Sequence, residues 1–203
     1  MCLILLIRHG ATQGNLEKRY VGSTDEPLIP ESREGLRQTR GQILIHFPEH
    51  DFRVYASPMR RCLETARILF PDRKAETVRD FEECRFGDFE YRNWKELAGE
   101  PLYRQFIDSG GRSAFPGGED RLHFSERVIR AFERLDIRED TALVVHGGTI
   151  MALLDRYSCP HRDYFEWQTV CGSGFAARWN GEMMTDIAEI GRASCRERVS
   201  SPV

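Results

Sequence analysis

Two histidines stand at the ends of apolar runs, each followed by glycine: "LLIRHGAT" closes on Arg8-His9-Gly10 and "LVVHGGT" on His146-Gly147-Gly148. A neutral imidazole can act as nucleophile, acid or base near pH 7. The arginine beside the first offers a planar fork of donors matched to phosphate oxygens. A further pair, Arg60-Arg61, follows a third apolar run that ends at Ala56. Two histidines and at least two arginines brought to one place would suit a phosphate, with phosphoryl transfer as the chemistry.

Those residues meet only if the segments carrying them end side by side. Cys2 to Ile7 is continuously apolar, as expected of a central parallel strand covered on both faces, and Phe52 to Ala56 and Thr141 to Val145 are its expected partners. Ser32 is predicted to cap a helix carrying Leu36, Ile43, Leu44 and Phe47, which Pro48 ends. Ser57 is predicted to cap a second, with Pro58 at its first position and Met59, Cys62, Ala66 and Leu69 as its apolar stripe. Thr149 to Tyr157 reads as a third, reached through Gly147-Gly148. This alternation predicts an α/β fold, a doubly wound and mostly parallel sheet with helices on both faces. In such sheets ligands bind beyond the carboxyl ends of the strands, where helix N-termini favour anions.

With 203 residues and 40% hydrophobic content, the chain is long enough for one sizeable core, so a single domain over 1–190 is expected. From Gly191 the stretch "GRASCRERVSSPV" is polar and Arg-rich without a helix or strand signal, and is expected to be a disordered or non-native tail. Lys and Arg total 29 against 32 Asp and Glu, a net charge of -3, so there is no global basic field for nucleic acid or an acidic membrane. Any anion site must be local. The six cysteines form no CxxC pair, which fits a reduced cytoplasmic protein. The first apolar stretch is too short to span a membrane and lacks the basic flank and cleavage site of a signal peptide, so it is expected to be a strand of the mature protein.

Taken in order, the motifs resemble those of the histidine phosphatase superfamily, the phosphoglycerate-mutase-like proteins. "LLIRHGATQGN" is similar to the family signature, and the remaining motifs follow between it and the second histidine of "VVHGGT". These are "YVGSTDEPL", the Ser-Pro-x-x-Arg helix start of "YASPMRRCLETA", the acid loop "FEECRFGDFE" and the turn "FPGGED". The resemblance implies that His9 takes the phosphoryl group onto a ring nitrogen and that Arg8, Arg61 and His146 surround the phosphate oxygens. Asn15 and Gly147 fall at further phosphate contacts. Glu83 is implied as the acid for the leaving oxygen and then the base for water. Periodicity does not choose between Arg60 and Arg61, nor does the residue pattern choose between Glu82 and Glu83; the family's spacing selects Arg61 and Glu83. Two guanidiniums and a second imidazole meet the charge of a phosphate, so neither metal nor cofactor is expected.

The other histidines, His46, His50, His123 and His161, carry no pattern that points to a site. His46 and His50 have the spacing of a metal pair, but Pro48 interrupts them and no acidic ligands accompany them. Tyr164, Phe165 and Trp167 read as packing residues, and Cys84 as an ordinary thiol. Arg85, Arg92, Lys95 or Arg104 could form a basic rim for a second anionic group, although solvated charge is the plainer reading of each. The chain also departs from the family pattern, with Phe89-Glu90-Tyr91 where many members carry a Trp-Glu-Gly-like turn.

Mutase members of the family are typically longer between the acid and the second histidine, where "SGGRSAFPGGED" reads as a loop. Hydrolysis of a small phosphomonoester is therefore expected, with resemblance to the bacterial α-ribazole-5′-phosphate phosphatases. Phosphoglycerate mutase activity, an idle phospho-ligand binding module and a metal-dependent hydrolase are the alternatives.

Overall fold

A computed structural model describes residues 1–111 and 113–191, so the predicted tail beyond Gly191 lies outside the described residues. Six strands form one sheet: β1 (Cys2–Arg8), β2 (Arg53–Ala56), β3 (Glu76–Thr77), β4 (Thr141–Val145), β5 (Gly174–Trp179) and β6 (Met184–Ile190), in the spatial order β3-β2-β4-β1-β5-β6. The pairings β1 with β4, β2 with β4 and β2 with β3 are parallel, whereas β5 runs antiparallel to both β1 and β6. The sheet is thus mostly parallel, as predicted. Its helices are α1 (Gln13–Leu16), α2 (Pro30–His46), α3 (Arg60–Leu69), α4 (Trp94–Leu97), α5 (Pro101–Asp108), α6 (Arg121–Glu133) and α7 (Gly147–Tyr157).

β1 explains why both faces are covered. Side chains alternate across a strand, and all four from Ile4 to Ile7 are fully buried. Ile4 and Leu6 pack with Phe124, Val128, Ile150 and Leu153 of α6 and α7. Leu5 and Ile7 pack with Leu36, Ile43, Cys62 and Leu69 of α2 and α3. Each such side chain removed from water contributes about 1.5–3 kcal/mol.

Register does the rest. Arg8 is level with Val145 and Ile7 with Val144, while Ala56 pairs with Val144 on the far side of β4. Three parallel strands therefore end together, and His9, Ser57 and His146 leave from one edge. The backbone ladder continues past the strands, with His9 N–H donating to Val145 O at 2.9 Å and Ser57 N–H to Val144 O at 3.1 Å.

Two predicted helix starts are displaced. α3 begins at Arg60 with Met59 as its flanking residue, so Pro58 is outside the helix. The Arg60 N–H is received by Asp25 Oδ1 at 2.7 Å instead of by Ser57. α2 begins at Pro30, and Ser32 lies inside it, accepting from Ala11 N–H at 2.6 Å. In both cases the serine serves a contact across the fold, which local sequence does not encode. α2 ends at His46, two residues before Pro48, and Leu44 is exposed. Between Asp108 and Arg121 the described residues contain no helix, in line with the loop expected there.

Candidate active site

The end of β1 delivers Arg8 and His9. His9 is buried, and its Nδ1 lies 2.7 Å from Gly10 O. A carbonyl only accepts, so Nδ1 carries the proton and Nε2 of the neutral ring keeps its lone pair. Burial holds His9 well below the usual imidazole range, and the charges of Arg61 and Arg8 push the same way against the bond to Gly10. Arg8 Nη1 donates to Thr169 O at 2.6 Å.

The adjacent arginines separate sharply. Arg60 is exposed and pairs with Glu64, whereas Arg61 is fully buried. Arg61 Nη1 donates to Thr24 O at 2.7 Å and Nη2 to Gly22 O at 2.9 Å. The "YVGSTDEPL" segment thus supplies carbonyls that grip Arg61 and, through Asp25, a cap for α3. Glu90 fixes this segment, accepting from Gly22 N–H, Thr24 N–H and the Thr24 hydroxyl. Once those bonds are made, Nε of Arg61 and Nε of Arg8 are both buried without a hydrogen-bond partner among the described residues. Buried donors of this kind are rare and need an acceptor that the side chains around them do not supply.

His146 flanks the start of α7 and is fully buried, its ring 5.1 Å from that of His9 between centroids and tilted 68°. Burial holds it well below the usual range, as do Arg61, His9 and Arg8. Gly147 and Gly148 open the helix, where backbone N–H groups lack intrahelical acceptors. A Cβ on Gly147 would lie 3.5 Å from the Arg8 guanidinium. Asn15 Oδ1 accepts from Thr12 N–H and the Thr12 hydroxyl, both at 3.1 Å, which leaves its amide NH2 as the group able to meet an anion.

Glu83 reaches the same helix terminus. Its carboxylate accepts from Cys84 N–H at 3.0 Å and Gly148 N–H at 3.2 Å. Burial pushes its pKa up, against those two donors and the charges of Arg61 and Arg8. Its neighbour Glu82 offers a backbone carbonyl to Arg127. The structure therefore brings His9, Arg8, Arg61, His146, Gly147 and Glu83 around one edge, with Asn15 joined to it through Cys171, whose thiol lies 3.6 Å from Asn15 Oδ1 and whose neighbour Gly172 donates its N–H to Arg8 O and His9 O.

Several contacts of this assembly carry no signal in the sequence. Arg127 donates to the carbonyls of Asp80, Glu82 and Glu83 and forms a bidentate pair with buried Glu119 at 3.0 and 2.8 Å. Glu119 also accepts from Arg85 N–H at 3.1 Å, so the pair fastens the acid loop on both sides of Glu83. Thr65 accepts from Gly10 N–H, and Ser57 Oγ lies 2.8 Å from His146 Nε2. The basic rim is mostly engaged elsewhere: Arg85 pairs with Glu119 and Arg92 with Glu100, and Arg104 donates to Ala98 O.

Comparison with known proteins places the chain in a family. Residues 4–173 match the histidine phosphatase superfamily (branch 1). The chain belongs to that superfamily. It is 30% identical to the adenosylcobalamin/alpha-ribazole phosphatase of Escherichia coli K12, covering 74% of this chain and 76% of that protein. It is 31% identical to 2,3-bisphosphoglycerate-dependent phosphoglycerate mutase 2 of Gloeobacter violaceus, covering 76% and 74%. Among solved structures, one from Escherichia coli K-12, provisionally assigned as an alpha-ribazole-5′-P phosphatase, superposes with a TM-score of 0.80 at 25% identity, over 93% of this chain and 95% of that one. Superfamily relatives of this chain are thus phosphatases and mutases, and the chain is an enzyme of that kind. No helix among the described residues is long and apolar enough to cross a membrane.

Proposed function

We propose that this chain hydrolyses a small phosphomonoester through a phosphohistidine on His9. The observation that carries the reading is the pair of buried Nε donors on Arg8 and Arg61, both without a partner among the described residues, next to His9 with its Nδ1 proton held by Gly10 O. His9 Nε2 attacks phosphorus while Glu83, protonated, gives its proton to the departing ester oxygen. Water then attacks the phosphohistidine, Glu83 takes its proton, and inorganic phosphate leaves with His9 restored. Arg8, Arg61, His146, the Asn15 amide and the Gly147 N–H hold the equatorial oxygens in both steps.

The direction of the Glu83 shift supports a proton donor, because a carboxyl raised above its ordinary range holds its proton closer to neutral pH. The charge on the phosphoryl group is met by side chains, so the proposed reaction runs without metal or cofactor, in a cytoplasmic setting, on a metabolite and not on nucleic acid or membrane. α-Ribazole 5′-phosphate is the proposed substrate, by likeness to the Escherichia coli relative. The similarity to the Gloeobacter mutase favours a second reading, return of the phosphoryl group to a phosphoglycerate.

The deciding assay is phosphate release from 4-nitrophenyl phosphate, 3-phosphoglycerate and α-ribazole 5′-phosphate in excess chelator, by wild type and His9→Ala. Release by wild type and its loss in the variant support the hydrolase. No release, with turnover in a coupled phosphoglycerate assay, supports the mutase. Silence in both leaves a phospho-ligand binding module, and activity abolished by chelator sinks the metal-free mechanism.

A further inference from the structure

His146 has two ring nitrogens, and its depressed pKa leaves it a single proton at neutral pH. Which nitrogen bears that proton decides whether the ring offers an anion a donor or a lone pair. Nε2 lies 2.8 Å from Ser57 Oγ, and both residues are fully buried, so bulk water does not compete for the contact. For Nδ1, the hydrogen-bond neighbour among the described residues is the Cys62 thiol, 3.9 Å from Nδ1 and 3.6 Å from Nε2. Thiols are weak partners.

A hydroxyl can donate to a bare ring nitrogen or accept from an N–H, so the Ser57 contact by itself fits either tautomer. The surroundings of Ser57 favour donation. Met59 N–H points at Ser57 Oγ from 3.4 Å and takes one of its two lone pairs. The Cys62 thiol also bonds Ser57 but is a weak partner, so His146 Nε2 is the strong acceptor for the hydroxyl proton. The displaced start of α3 has the same origin: Ser57 is withheld from helix capping because it sits between β2 and the ring of His146.

We propose that Ser57 is a positioning residue that donates its O–H to His146 Nε2 and so holds the imidazole in the Nδ1–H form, with that N–H available to the bound phosphoryl group. The inference rests on the reading that His146 meets a phosphate oxygen. It gives the two histidines opposite duties through two different neighbours. The Gly10 carbonyl takes the Nδ1 proton of His9 and leaves a nucleophilic Nε2, whereas the Ser57 hydroxyl occupies Nε2 of His146 and leaves a donor at Nδ1. A neutral histidine in water favours the Nε2–H form, so removal of Ser57 should let His146 revert and turn a lone pair toward the anion.

The test is long-range proton–nitrogen correlation on the protein with 15N-labelled histidine, His146 being assigned by its loss in His146→Gln. Wild type should show a protonated Nδ1 and a bare Nε2 at His146. Ser57→Ala should move the ring to Nε2–H and weaken binding of inorganic phosphate by about 10- to 100-fold, the loss expected for a hydrogen bond to a charged group. Ser57→Thr, which keeps the hydroxyl, should recover both. A wild-type His146 that is Nε2–H or doubly protonated overturns the inference, even if the Ser57 variants do not fold. Unchanged phosphate affinity in His146→Gln overturns the underlying reading of His146. Weakened affinity in that variant together with an unmoved tautomer in Ser57→Ala overturns the role of Ser57 alone.

Discussion

Glu83 and Gly148, 65 residues apart in the chain, are joined by a hydrogen bond of 3.2 Å from the Gly148 N–H to the Glu83 carboxylate. The bond sets the carboxyl of the acid loop on the N-terminus of the helix that begins directly after His146. It also explains a glycine there. A Cβ at position 148 would lie 2.4 Å from Glu83 Oε1 and 3.1 Å from the Phe124 ring.

Gly148→Ala should therefore damage chemistry more than folding. Alanine is a better helix former than glycine by about 1 kcal/mol, which offsets part of the crowding. The displaced carboxyl is expected to lower kcat by about 10- to 100-fold on alkyl phosphates, the usual range for loss of a positioned acid. Aryl phosphates with good leaving groups should lose less. Equal loss on both classes, at unchanged thermal midpoint, would remove Glu83 from the role of acid.

The buried histidines make a prediction about stability and pH. In the folded chain His9 and His146 both titrate well below 6.5, the value expected once unfolded. Below that pH the unfolded chain binds more protons than the folded one, so stability falls as pH drops, until the folded rings protonate. Each ring contributes a slope of up to about 1.4 kcal/mol per pH unit. Glu83, raised in the folded state, acts in the opposite sense: its contribution is present below the ordinary carboxylate pKa and is lost as pH rises through the folded value. Urea unfolding of wild type and His146→Gln at a series of pH values below 6.5 should show the shallower slope in the variant. Identical slopes would mean that His146 is charged in the native protein.

How much of this was legible in the sequence depends on whether a residue's job is local. The strand β4 was read to the residue, because a fully buried parallel strand is apolar throughout. The order of motifs around His9 and His146 likewise pointed to the candidate site. Arg60 and Arg61 were indistinguishable by periodicity, since both flank the apolar stripe of α3; the carbonyls of Gly22 and Thr24 that select Arg61 come from a separate loop. Ser57 and Ser32 look like helix caps by type, yet each is committed to a distant partner. Glu119 was legible only as part of the "FPGGED" turn and Arg127 not at all, because their spacing matches no helical pair, Glu119 lying ahead of α6.

That last pair predicts a double-mutant outcome. Burial pushes the Glu119 carboxyl up, but the bonds from Arg127 and the Arg85 N–H outweigh it and keep the group ionised at neutral pH. Arg127→Met would leave this buried charge with only the Arg85 N–H and a longer contact to the Arg85 guanidinium, and is expected to cost up to about 3 kcal/mol in denaturant unfolding. Adding Glu119→Gln removes the charge while preserving an acceptor for Arg85 N–H. The double variant should therefore be more stable than the sum of the single losses by at least about 1 kcal/mol. Strict additivity would show that the two side chains act independently.

Tyr91 isolates a backbone term. Its φ is +60°, in the left-handed region that favours glycine. The left-handed region costs a residue with a Cβ about 1 kcal/mol relative to glycine. Tyr91 offsets this with its side chain: the hydroxyl donates to Glu26 at 2.7 Å, and the Arg19 guanidinium lies 5.1 Å from its ring. Glu26 in turn accepts from Gly14 N–H, so the tyrosine supports the helix that holds Asn15. Tyr91→Gly and Tyr91→Ala both delete these contacts, and they differ mainly in the backbone cost. The alanine variant should be the less stable by about 1 kcal/mol, the reverse of their usual order at sites with negative φ. Thermal unfolding of the two variants side by side measures the difference. An alanine variant at least as stable as the glycine one would mean that the turn relaxes out of the left-handed region once the ring is gone.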